Sequence, residues 1–148
     1  QLIREKYYTV ADKVNEPLLP PVIKDEVPFL NFASLQNSML TMEKASNAAG
    51  IAMGNKTLSP QKKNELNKIL YKAEQELLTK AGLPRRGWYR HAIYAPGFYT
   101  GYGVKTLPGI REAIEQRSWK EAQDQIEIAA ATINRFSVYL DGAAMGIK

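Results

Sequence analysis

The sequence predicts an all-α domain: an antiparallel four-helix bundle with an additional short helix and one long ordered loop over about residues 82–107. Three observations carry that expectation. Apolar residues recur at spacings of three and four through most of the chain. Serine, proline and glycine stand where helices should start and stop, and no stretch gives convincing evidence of a strand.

From about Arg4 to Asn15, Tyr7, Val10, Ala11 and Val14 share one face of a short helix. Pro17, Pro20, Pro21 and Pro28 then remove backbone donors, so an extended connection is expected. Asn31 suits the N-cap of the next helix, whose stripe runs through Phe32, Leu35, Met39, Met42, Ala49 and Met53 until Gly54 ends it. The third helix is punctuated more clearly. Ser59 can cap it, Pro60 suits its first turn, and Leu66, Ile69, Leu70, Ala73 and Leu77 share a face. Gly82 in a left-handed conformation and Pro84 should stop it, with Leu83 packing back on Leu78.

Past the loop, "LPGIREAIEQ" predicts a short helix burying Ile110, Ala113 and Ile114. Ser118 and Glu121 have capping-box spacing at the start of the last helix. Its seam comprises Trp119, Ala122, Ile126, Ala129, Ile133, Phe136 and Leu140. Ile128, Ala131, Val138 and Tyr139 widen the apolar arc beyond what one neighbour covers, so burial on two sides is expected.

Composition narrows the function classes. With 45% hydrophobic and 24% charged residues, 148 residues fit one globular domain rather than a disordered or fibrous chain. The net charge of +5 comes from basic residues scattered among acids, not from a run interleaved with aromatics, so nucleic-acid binding is not expected. The absence of cysteine rules out disulfides and thiolate metal sites while leaving the compartment open. No apolar run approaches a membrane span, and "QLIREKYY" has no signal-peptide core; it reads as a cut inside a longer chain. Asn55-Lys56-Thr57 is a glycosylation triplet of a kind common by chance.

The loop region "RHAIYAPGFYTGYGVKTLPG", residues 90–109, holds the single histidine, three of eight tyrosines and four of ten glycines. A structureless connection as long as Gly82–Leu107 is usually either functional or misread. A catalytic metal centre is not expected, because His91 stands alone and no H-E-x-x-H occurs. No G-x-S-x-G elbow is present, and "GYGVKT" fails P-loop spacing. His91 reads first as a structural histidine, and Tyr94, Tyr99 and Tyr102 either as packed loop aromatics or as the wall of a neighbouring domain's pocket. Amides near Thr106 to Ile110, beside Lys105, could hold an anion; a stand-alone adaptor for an acidic peptide is the reading that follows.

The segments "RHAIYAP" (90–96), "YTGYGVKTLPGIREAIE" (99–115), "WKEAQDQIEIAAATI" (119–133) and "VPFLNFASLQNSM" (27–39) resemble the transferrin receptor-like dimerisation domain. This is the C-terminal helical domain of the glutamate carboxypeptidase II and transferrin receptor family. The resemblance implies a fragment, residues 1–148 forming one domain cut from a larger chain. It implies preceding protease-associated and zinc-dependent catalytic domains, with zinc bound there, no metal or catalytic residue here, and an extracytoplasmic location. It further implies a homodimer partner and a loop lent to a peptide-substrate pocket.

In glutamate-specific members a lysine and then a tyrosine of this loop hold the substrate's side chain. Ungapped alignment places them at Gly101 and Tyr102, so the tyrosine is kept and the lysine is not; Lys105 is the nearest replacement. Arg90, His91, Tyr94 and Tyr99 are expected to support the loop. Trp119, Ile126, Ile128, Ile133, Phe136 and Leu140 are expected at the dimer or domain interface. The loop pattern favours a peptidase parent over a non-catalytic receptor.

Overall fold

The computed structural model describes residues 1, 3–5, 21–54 and 58–146. Among them the helical periodicity resolves into α1 (Ala33–Gly54), α2 (Pro60–Lys72), α3 (Pro108–Glu115) and α4 (Trp119–Gly146). Most of the helix expected over Arg4–Asn15, like the Asn55–Thr57 triplet, lies outside the described residues. Residues 21–32 have no regular structure, in keeping with their prolines.

The helix starts follow local chemistry. Asn31 accepts from the Ala33 amide at 3.0 Å, and Ser59 accepts from the Lys62 amide at 3.3 Å with Pro60 in the first turn. The ends are less literal. After Lys72 the chain tightens into a 3-10 segment, Ala73–Leu77, so the third predicted helix stops before Gly82. Gly82 is left-handed, φ +70°, but for another purpose: a Cβ there would lie 2.1 Å from the Gly87 carbonyl oxygen. It permits a close backbone crossing inside the loop.

The main core lies between α1 and α4, where Leu35 meets Ile126, Ala129, Ala130 and Ile133, and α3 adds Ile110. Alanines let these helices come close, and the buried hydroxyls of Ser38, Thr132 and Ser137 are satisfied by carbonyls of the preceding turn. The strictly antiparallel bundle needs correcting. Asn31 and Ser34 at the start of α1 bond Gln123 and Glu127 in the first third of α4, and Met53 at its end packs against the cluster of Leu66 and Ala143, so α1 and α4 run parallel. α2 is the antiparallel neighbour: Leu66 lies at Ala143, Tyr139 donates to the Ile69 carbonyl at 2.7 Å, and Arg135 reaches the carbonyls of Glu76 and Leu78. The chain returns through α2 and the long loop before α4 begins, which leaves α1 and α4 pointing the same way.

The long loop also contains strands that the sequence reading did not foresee. β1 (Tyr94–Pro96) pairs antiparallel with β2 (Val104–Thr106), with Tyr94 opposite Thr106 and Pro96 opposite Val104. Three residues are too few to display a period of two. The predicted capping box is replaced as well. The Ser118 amide donates to the Ala113 carbonyl at 2.8 Å and the Arg117 amide to Ile114 at 3.0 Å. With Arg117 at φ +59°, these bonds close α3 in a Schellman motif, and Glu121 is free to pair elsewhere.

Neighbouring isoleucines on α4 should separate these packing roles. Ile126 is fully buried and Ile128 is 42% exposed. Ile126→Ala should cost about 2–5 kcal/mol in denaturant unfolding, and Ile128→Ala less than about 1 kcal/mol.

Candidate functional site

The connection from Leu77 to Leu107 is two closed turns laid one after the other. In the first, residues 77–79 pair back on 90–92 through Ala92 N to Leu77 O (3.0 Å) and Thr79 N to Arg90 O (2.8 Å). Inside it, Leu83 N donates to Tyr89 O at 2.8 Å. Arg90 reinforces the closure by donating from Nε to the Thr79 carbonyl at 3.0 Å. The second turn is the β1–β2 hairpin, whose tip is knotted by Gly97 N to Gly103 O (2.9 Å), Gly101 N to Gly97 O (3.0 Å) and Tyr102 N to Thr100 O (2.7 Å). Gly101 adopts φ +67°, and a Cβ at Gly97 would meet the Thr100 hydroxyl at 2.3 Å.

Ion pairs fix both turns to the helices. Arg86 and Glu112 are buried together, with side-chain exposures of 4% and 2% and a 2.6 Å Nη2–Oε1 bond. Arg86 also donates to the Pro96 carbonyl, while Glu112 Oε1 accepts from the Phe98 amide at 2.9 Å. The guanidinium lies 5.4 Å from the Tyr89 ring centre and 5.6 Å from that of Phe98. Arg85 forms a two-pronged pair with Glu121 at 2.8 and 2.9 Å, and Lys105 donates to Glu115.

The predicted loop residues separate into support and display. Tyr94 donates its hydroxyl to Glu74, a hydrogen bond that pushes its ionisation up, and its ring sits 4.0 Å from that of His91. His91 Nδ1 faces the amides of Ile93 and Tyr94, each at 3.3 Å, so the ring hydrogen belongs on Nε2, 3.7 Å from Glu74 Oε1. That tautomer leaves neither nitrogen lone pair for a metal. A groove of about 370 Å³ lies here, lined by Tyr71, Glu74, Gln75, Leu78 and His91. Among the described residues no three His, Cys, Asp or Glu side chains are placed to hold a metal ion.

Tyr102 stands wholly exposed at the hairpin tip, and Tyr99, 71% exposed, is beside it with its ring edge-on to Phe98. Lys105 does not join them: its side chain lies half-buried against Gly97 and is paired with Glu115. The anion site expected at Thr106–Ile110 is largely consumed too. Leu107 N donates to Ile93 O, while Ile110 N and Arg111 N donate to Leu107 O. On α4, Ile126 and Ile133 lie in the domain's own core, Trp119, Phe136 and Leu140 are half-buried, and Ile128 faces outward.

Sequence reasoning missed Arg86, Glu112, Glu121 and Glu74 as loop-determining residues. Arg85-Arg86 reads as a surface pair, and Glu112 sits within a short amphipathic helix where charge normally faces water.

The fold and site define a helical scaffold that displays a clamped aromatic hairpin. The family model described as "Transferrin receptor-like dimerisation domain" matches residues 30–141, and the chain belongs to that family. It is 39% identical over 88 residues to a "Probable glutamate carboxypeptidase" of Arabidopsis thaliana, covering 55% of this chain and 13% of that one. A "Probable glutamate carboxypeptidase" of Arthroderma benhamiae is 37% identical over 73 residues, covering 49% and 10%. An "Inactive zinc metalloprotease" of Schizosaccharomyces pombe is 26% identical, covering 86% of this chain and 20% of its own length. The chain therefore spans between about a tenth and a fifth of these relatives.

Burial holds the His91 ionisation below its ordinary value of 6.5, partly opposed by the Glu74 carboxylate. The unfolded chain takes up the proton first, so this contribution to stability is complete above about pH 6.5 and is lost as the pH falls from there through the lower folded-state value. His91→Gln should flatten that acid-side slope in unfolding experiments at pH 5 to 8.

Proposed function

We propose that this domain is the helical dimerisation domain of a larger zinc-dependent, glutamate carboxypeptidase-like peptidase, and that its hairpin completes the catalytic domain's substrate pocket. The observation that carries the reading is Tyr102: a fully exposed aromatic side chain on a loop tied internally by hydrogen bonds and anchored below by a buried ion pair. Holding such a residue in one place while exposed is consistent with contact to something outside this domain. Family membership and the two carboxypeptidase relatives support the class of parent.

In this reading the chain is one domain of the parent. It holds no catalytic group of its own, zinc belongs to the catalytic domain, and the parent works outside the cytoplasm. Tyr102 faces the substrate residue after the scissile bond. With Gly101 at the lysine position and Lys105 committed to Glu115, a strong preference for glutamate is not expected. The adaptor reading loses its main support, since the Leu107 and Ile110 amides and the lysine it needs are already bonded. A parent without peptidase activity is a second reading, favoured by the similarity to the inactive metalloprotease.

The subunit or domain contact is assigned to the outer side of α4, where Ile128 and Val138 are exposed, rather than to Ile126 and Ile133. The parent should sediment as a two-fold homodimer, and Ile128→Asp with Val138→Asp should weaken it by at least tenfold in Kd. A fully active dilute monomer contradicts this assignment.

Kinetics of the full-length protein test the pocket. Tyr102→Phe should raise KM about two- to tenfold, the worth of one hydrogen bond, and Tyr102→Ala more, with zinc content unchanged. Native KM across acidic and apolar C-terminal substrates would remove the loop from the pocket; zinc-loaded protein without turnover would favour the inactive parent.

A further inference from the structure

We propose that the buried Arg86–Glu112 pair is the positioning element of the hairpin. It fixes where Tyr102 stands, so substrate recognition in the full-length protein depends on two side chains that never touch substrate. The inference rests on the pocket reading given above and adds to it the residues that set the geometry.

The two anchor points straddle the end of β1. Arg86 holds the Pro96 carbonyl, and Glu112 holds the Phe98 amide, through the same oxygen that binds Arg86. The tip beyond is internally rigid, because Gly97, Gly101 and Tyr102 all spend their amides within residues 97–103. A rigid tip on a fixed base has one placement. Three residues separate the Phe98 anchor from Tyr102, and the guanidinium lies beside the Phe98 ring, which in turn meets Tyr99 edge-on with centres 4.9 Å apart.

The energetics point the same way. A buried ion pair is a poor source of stability, because desolvation offsets most of the attraction and a well-packed apolar pair commonly does as well. Arg86 Nε adds to that cost by lacking a hydrogen-bond partner among the described residues. What an apolar pair cannot supply is a donor for the Pro96 carbonyl and an acceptor for the Phe98 amide. Those two directed bonds are the part of the arrangement that specifies loop position.

The test separates position from stability. In the full-length protein, the apolar double variant Arg86→Met/Glu112→Leu should keep its Tm and dimer. Amides of residues 98–102 should exchange at least about tenfold faster, those of residues 126–133 should be unchanged, and KM should rise by about ten- to a hundredfold with a smaller change in kcat. Adding Tyr102→Ala should produce no further rise, because both changes act through one side chain. Native exchange and native KM in the double variant overturn the proposal, as does a loosened loop with native KM beside a Tyr102→Ala variant that does raise KM. If Tyr102→Ala has no effect, the pocket reading fails instead, and the exchange rates alone decide the positioning role. Should the double variant not fold, Arg86→Lys carries the test: it keeps the charge but loses the fork, and native exchange at residues 98–102 overturns the proposal.

Discussion

A carboxylate and a guanidinium removed from water must find partners for each other and for their remaining donors and lone pairs. In this domain that requirement joins distant parts of the chain. Arg86 comes from the first turn of the loop, Glu112 from α3, and their other bonds end on the backbone at Pro96 and Phe98. The hairpin cannot shift without breaking a buried charge contact. α3 cannot rotate without doing the same, and its buried Ile110 and Ala113 would move with it. The ion pair thus couples the packing of the helical core to the placement of the loop.

The helices provide what that coupling needs, a platform that does not yield. α1 and α4 pack through alanines and a few large aliphatic side chains, and α2 returns along α4 from Ala143 to Arg135. Arg135 also donates to the carbonyls at the end of the 3-10 segment, groups that a helix leaves without partners. The loop therefore leaves α2 from a fixed end and returns through Leu107 to a fixed α3. Both its origin and its destination are stationary.

The helical part of this architecture was legible because burial writes a period into sequence: Leu35, Ile126, Ala129 and Ile133 fall where stripes place them. Ser59 and Pro60 marked α2, as their chemistry dictates. Direction was less legible, since a stripe says which face is apolar but not which way its neighbour runs. The parallel α1–α4 pairing depends on the whole path between them. The hairpin escaped notice because its strands are three residues long. Tyr102 could be singled out by resemblance, but the groups that govern it could not. Arg86 and Glu112 lie 26 positions apart, and a charged residue buried by a distant partner looks the same in sequence as one in water.

Turns in this chain are set as much by anchored side chains as by glycine. Arg85, Leu107 and Arg117 all adopt positive φ, a conformation that disfavours L-residues by roughly 1–2 kcal/mol. Each has an attachment. Arg85 is held by Glu121, Leu107 packs on the core, and Arg117 lies 5.0 Å over the Trp119 ring. Glycine at any of the three would relax the backbone and at the same time cut a tether, so the residue best suited to the local geometry is the wrong one for the domain. Propensity-guided redesign of these corners would therefore make each turn easier while making the molecule looser.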